Sequence, residues 1–171
     1  FYGEYLGKTD PLGADVPNPK SHVAYGFATH VVILDDEGKV KEVWAAHDSG
    51  KVVNPTSIQG QIEGGVLMGL GYALSEKLLF DEKTGRPLNN NLLDYKLSTF
   101  MDHPDLEAEF VENYEPTSAY GTKALGEPPA CSPAPAIRNA IYQATGVAID
   151  QAPITPHILF AKFTEAGLIQ D

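Results

Sequence analysis

The sequence predicts an α/β (α+β) fold, a β-hairpin and mixed sheet carrying two main helices. Three observations carry that prediction. Val23, Tyr25, Phe27, Val31, Val32 and Ile33 lie on one side of the acidic turn Asp35-Asp36-Glu37-Gly38, with Val40, Val43 and Trp44 on the other. Two β-rich runs around a short glycine turn are a hairpin signal. Ile58, Ile62, Val66, Leu70 and Leu74 recur every fourth position, the period of one helix face. Ser132-Pro133 opens a second amphipathic run, with Ser suited to the N-cap and Pro to the first helical position.

Positions 1–20 are polar and turn-rich, with Gly3, Gly7, Pro11, Gly13, Pro17 and Pro19. They read as a connecting segment, and 21–171 as the folded unit of a longer polypeptide that does not begin at Phe1. The hairpin spans 22–44. Asn54-Pro55 starts the first helix, Asn as N-cap, and the helix runs about five turns. It carries Gly60, Gly64, Gly65, Gly69 and Gly71. Each interior glycine costs up to ~1 kcal/mol relative to Ala. A compensating close approach is therefore expected, either of another backbone in ordinary packing or of a bulky ligand. Positions 77–80 suggest a short strand, followed by the turn Asp81-Glu82-Lys83-Thr84-Gly85 and the polar loop Asn89-Asn90-Asn91. Leu106, Ala108 and Phe110 alternate with Glu107 and Glu109, a half-exposed strand. A long loop covers 114–130. The second helix presents Ile137, Ile141 and Ala144 and stops at Gly146. A short strand at 147–149 and a terminal helix at 158–166 complete the chain.

The long loop holds the most pointed feature, Tyr120-Gly121-Thr122-Lys123-Ala124-Leu125-Gly126-Glu127-Pro128-Pro129. One carboxylate sits between a glycine and two prolines. Pro128 biases Glu127 toward extended backbone, and the two prolines stiffen the chain beyond it. Gly126 permits close approach. A structural reading is a rigid helix entry whose acid favours the positive helix end. A chemical reading is an aimed general base, tuned by burial and neighbours. Lys123 could pair with Glu127 and hold it ionised, a contact worth little at a surface.

Bulk composition narrows the function. The 171 residues suit one domain or a large piece of one. A hydrophobic content of 43% with 20% charged residues is globular rather than disordered. A net charge of −11 argues against nucleic acid and against an anionic membrane as partners. Cys131 stands alone, so this chain forms no internal disulfide and no thiolate metal cluster. That fits a cytoplasmic protein. No run is long enough to span a bilayer. A phosphate loop, a dinucleotide fingerprint and a nucleophile elbow are all missing. His22, His30, His47, His103 and His157 lack metal-ligand spacing. His47-Asp48 leaves open a hydrolase-like pairing with Glu127.

Two stretches resemble one family. Asp48-Ser49-Gly50-Lys51-Val52-Val53-Asn54-Pro55, followed by Gln59-Gly60-Gln61-Ile62-Glu63-Gly64-Gly65, is similar to the pattern Asp-x-Gly-x-x-Ile-Asn-Pro, then Gln-Ile-Glu-Gly-Gly. Lys123-Ala124-Leu125-Gly126-Glu127-Pro128-Pro129 resembles its Gly-Glu-Pro-Pro signature. Both belong, in this order, to the molybdenum hydroxylases, which include xanthine dehydrogenase and aldehyde oxidase. The resemblance covers about 25–160. It maps 21–171 to a C-terminal subdomain of the molybdopterin-binding region.

The resemblance implies that Glu127 is the catalytic base. It implies that Gln61 contacts the pterin, that Gly64 and Gly65 let the cofactor approach, and that Lys123 and Gly126 border it. Molybdenum would be held by the pterin, with no protein metal ligand, and the pterin could be a cytosine dinucleotide form. Iron–sulfur clusters and FAD would lie in other domains or subunits. The reaction implied is oxidation of a purine such as xanthine, or a related N-heterocycle or aldehyde, with water as oxygen source. Ala130-Cys131-Ser132-Pro133 resembles bacterial purine-hydroxylating members. The family's upstream glutamine and its substrate-clamping Arg and Phe have no counterpart here, so the chain alone is expected to be inert. The alternative is a structural or assembly module of the same fold that binds no cofactor.

Overall fold

The computed structural model describes residues 1–11, 13–20 and 25–169. Of the hairpin expectation, His22 and Val23 lie outside the described residues. From Ala28 on the hairpin forms, Tyr25 and Phe27 lying before its first strand: β1 (Ala28–Leu34) pairs antiparallel with β2 (Val40–Asp48). Its turn is held by the Asp35 carboxylate, which accepts from the backbone N–H of Glu37 and Lys39, and Gly38 takes φ 80°. β3 (Asp105–Val111) joins β2 in parallel, giving a mixed three-stranded sheet in the order β1-β2-β3. The parallel register sets Leu106, Ala108 and Phe110 opposite Val43, Ala45 and His47. The acidic residues between them therefore face outward.

α1 (Pro55–Leu74) starts as expected, with the Asn54 side chain accepting from the Ser57 N–H at 3.1 Å. Ile62, Val66 and Leu70 are buried under the sheet, with Ile58 and Leu74 half-buried at either end. α2 (Pro128–Cys131) and α3 (Pro133–Thr145) come next, then α4 (Pro156–Glu165). Ile137, Ile141, Ile149 and Ile154 close the core from the α3 side. Each such side chain, fully buried, contributes about 1.5–3 kcal/mol. Gly146 ends α3 at φ 72°, its N–H on the Tyr142 carbonyl. Among the described residues of 1–20 there is no helix or strand. Asp10 and Lys20 close that segment on itself, and the Tyr5 hydroxyl donates to the Thr117 carbonyl.

Four expectations need correction. Positions 77–80 form no strand, only an isolated bridge between Phe80 and Pro87. Pro87 has no N–H to extend a ladder, and the buried Asn89 amide takes the missing places, accepting from Leu79 N–H and donating to the Lys77 carbonyl. Positions 147–149 are irregular, although Ile149 is core. Ser132 does not cap α3 with its hydroxyl, because its own backbone is helical and α2 runs on toward α3. Its carbonyl accepts from Ala136 N–H instead. Finally, Glu127 is not extended but helical, φ −90° and ψ −35°, because its carbonyl accepts from Ala130 N–H at 2.9 Å and starts α2.

Candidate active site

Glu127 stands at the head of α2, and its placement begins at α1. A side-chain carbon on Gly65 would lie 2.5 Å from Pro129 Cβ, and one on Gly69 would lie 2.7 Å from Pro133 Cγ and 2.8 Å from the Ala130 carbonyl oxygen. The Pro-Pro segment is thus seated in a groove that only glycines leave open. Positions 65 to 69 of α1 run alongside 129 to 133 in the same direction. That direction puts Glu127 at the Gln61 end of the contact. Gly65, expected to face a cofactor, is covered by the chain itself. Gly64 and Gly126 differ: a side-chain carbon on either would meet nothing. Gln61, Gly64, Gly126 and Glu127 are all exposed. The Glu127 carboxylate has no hydrogen bond or ion pair among the described residues. The sequence-based expectation of a buried base is therefore not met within this chain, whose core lies on the other side of α1 and α2.

The segment 121–129, the arm that carries Glu127, is anchored at its other end just past β2. Thr122 bridges to Gly50, the Lys51 N–H donates to the Gly121 carbonyl at 2.7 Å, and the Lys123 N–H donates to the Ser49 carbonyl at 3.3 Å. Lys123 does not pair with Glu127. Its ammonium turns inward to Asp48 Oδ2 at 2.5 Å and to the Tyr25 carbonyl oxygen at 2.9 Å, with the Phe27 ring centroid at 5.9 Å. The Lys123 and Asp48 side chains are only 4% and 9% exposed. The Lys123 ammonium is thus enclosed by its own chain and is not exposed beside Glu127. Burial pushes the Asp48 carboxyl up, but hydrogen bonds from Lys123 and the Gly50 N–H, the Lys123 charge and Asn113 outweigh it, leaving it below its ordinary value.

The hydrolase-like pairing with His47 fails on geometry. His47 is fully buried, and its Nε2 meets His30 Nε2 at 2.8 Å. Asp48 is committed to Lys123. Sequence reasoning missed two things: Asp48 as the partner of Lys123, and Pro129 as the occupant of the Gly65 face. The Asp48-Ser49-Gly50 stretch, which the family resemblance pairs with the Lys123–Pro129 stretch, was the available signal for the first.

Comparison with known proteins gives the family. Residues 3–104 match the family model for a molybdopterin cofactor-binding domain. The chain is 52% identical over 130 residues to the xanthine dehydrogenase molybdenum-binding subunit of Escherichia coli O157:H7, covering 76% of this chain and 17% of that one. The chain belongs to the molybdenum hydroxylase family. Another family relative, the aldehyde oxidoreductase molybdenum-binding subunit of Escherichia coli K12, is 32% identical over 145 residues, covering 81% of this chain and 20% of its own length. Among solved structures, the aldehyde oxidoreductase of Desulfovibrio gigas superposes with a TM-score of 0.73 at 29% identity, over 85% of this chain and 16% of that one. The CO dehydrogenase of Oligotropha carboxidovorans gives 0.74 at 28% identity, over 90% and 20%. The α/β fold is thus that of this family's molybdopterin-binding domains. The chain spans about a fifth of the length of the molybdenum hydroxylases it matches.

Proposed function

We propose that this chain supplies the catalytic base and one wall of the cofactor site in a molybdenum-dependent hydroxylase. The substrate class is a purine such as xanthine, or a related N-heterocycle or aldehyde, with water as oxygen source. The observation that carries this reading is the Glu127 carboxylate, exposed and without a partner among the described residues, held on a loop pinned at both ends. The 52% identity to a relative named as a xanthine dehydrogenase subunit supports the purine class.

The surface fits a molybdenum–molybdopterin group. Gly64 and Gly126 leave open space where any other residue would project a side chain, and Gln61, one helical turn before Gly64, is exposed. When bound, that group supplies the two-electron redox chemistry of the hydroxylation. Gln61 would hydrogen-bond the polar edge of the pterin, offering both donor and acceptor. Glu127 would accept the proton of the water-derived nucleophile, a role typically worth ~10² to 10⁴ in rate. Lys123 and Gly65 would serve from behind, fixing the arm and the helix seat. The pterin is a cytosine dinucleotide form in this reading. Iron–sulfur and FAD domains or subunits would carry the electrons away. Positions 1–20 would connect the cofactor-binding subdomain of 21–171 to the remainder of a cytoplasmic enzyme, and the isolated chain would be inert.

The test is Glu127→Gln in the complete enzyme, assayed on xanthine and on an aldehyde. Turnover should fall at least 100-fold while molybdenum and pterin content stay unchanged. Near-normal rates would remove Glu127 as the base. A complete protein carrying no stoichiometric molybdenum would favour the cofactor-free assembly module.

A further inference from the structure

We propose that the buried Asp48–Lys123 pair is a positioning device for Glu127, setting the direction of the base and through it the rate. The inference rests on the reading of Glu127 as base. Lys123 stands four residues before Glu127, and Pro129 stands two residues after it. The first clamp is the ion pair at 2.5 Å together with the Gly50–Thr122 bridge. The second is the seating of Pro129 on Gly65. Between them Leu125 is buried in the core, 8% exposed. The arm is therefore fixed at its start, middle and end, while Gly126 and Glu127 project outward.

Stability alone is a weak reason for such a pair. Replacing a buried ion pair by apolar groups of similar volume is often neutral or stabilising, whereas removing one partner is strongly destabilising. What the pair adds here is direction. The Lys123 ammonium joins the Tyr25 carbonyl, the end of β2 and the loop at one point. The Asp48 carboxylate is in turn oriented by the Gly50 N–H at 3.2 Å. Lys123 is too enclosed to touch a ligand, so it acts through the arm. The geometry also explains why an Asp-x-Gly motif accompanies a Lys-x-x-Gly-Glu-Pro-Pro motif. The Asp holds the Lys, and the Gly lets the loop backbone cross.

The experiment compares Asp48→Asn, Lys123→Met and the double variant in the complete enzyme. Each single variant leaves one charge buried and unpaired, so both the thermal midpoint and kcat should drop. The double variant leaves no buried charge. Its thermal midpoint should recover to within a few degrees, with molybdenum and pterin content unchanged, while kcat stays about 100-fold low, the scale of a 1 Å misplacement. KM should stay within about threefold, since the substrate-binding groups are untouched. A double variant with kcat within threefold of the unsubstituted enzyme overturns the proposal. So does a double variant that fails to fold, which would assign the pair to folding. The base reading fails separately: if Glu127→Gln keeps its rate, the pair has nothing to aim. If Glu127→Gln is inactive and the double variant is normal, only the positioning role falls.

Discussion

Gly50 shows how one residue without a side chain makes a long-range join possible. Its φ is 63°, and a side-chain carbon there would lie 2.6 Å from the Gly121 carbonyl oxygen and 2.7 Å from Lys123 N. Both obstacles are backbone, so neither can swing aside. Gly38 has a similar φ of 80° but open space around it. Gly38→Ala should therefore cost only the left-handed conformation, ~1–2 kcal/mol. Gly50→Ala should cost that plus an overpacking penalty of about 1–3 kcal/mol. Urea midpoints of the complete protein measure both, and equal losses at the two sites would contradict this account.

At the scale of elements, the glycines of α1 have different surroundings. Gly65 and Gly69 receive α2 and the start of α3, whereas Gly60 and Gly64 face open space. The sequence left packing and ligand approach as alternatives for these glycines; packing accounts for Gly65 and Gly69, Gly71 lies against Glu76 and Ser98, and Gly60 and Gly64 have open space beside them. Gly65→Ala should lower stability by about 1–3 kcal/mol, because Pro129 must move. Gly64→Ala should raise it by up to ~1 kcal/mol through helix propensity. If Gly64 leaves room for the pterin, the same change should lower the pterin content of purified protein. Unfolding midpoints and bound pterin, measured on the same preparations, check both halves.

The whole molecule carries an acid-sensitive core. His30 is held near pKa 4 by burial and by His47, and burial also depresses His47. The two rings meet edge to face at 4.9 Å, and the Nδ1 atoms of both are buried without a partner among the described residues. Burial thus disfavours the protonated form of both imidazoles, and protonating His47 puts a charge in the core. For a histidine depressed on folding, stability is fully present above the unfolded value of 6.5 and falls as pH drops toward about 4. Asp48 acts in the same direction at lower pH, its contribution being lost below 3.8 as its carboxyl protonates. Thermal midpoints should thus decline from pH 6.5 to 4. His30→Phe should flatten that decline, and a midpoint independent of pH over this range would refute it.

Local periodicity was enough for the hairpin, α1, β3, α3 and α4, because each shows a period of 2 or 3.6 with ordinary turn and cap residues. It misjudged 77–80 and 147–149, where apolar runs of strand character find no neighbouring strand. The motif residues themselves named the family, and Glu127 and Gln61 follow from it only as candidates. What the sequence by itself determined is the hairpin, β3 and the three longer helices, the glycine-rich character of α1 and the acid between glycine and proline. Only the tertiary structure decided that Lys123 faces Asp48 rather than Glu127, that Gly65 is filled by Pro129, and that His47 lies in the core. These contacts join residues 75, 64 and 17 positions apart, as for Asp48–Lys123, Gly65–Pro129 and His30–His47. No local preference encodes such pairings, because they exist only once the sheet, α1 and α2 have packed together.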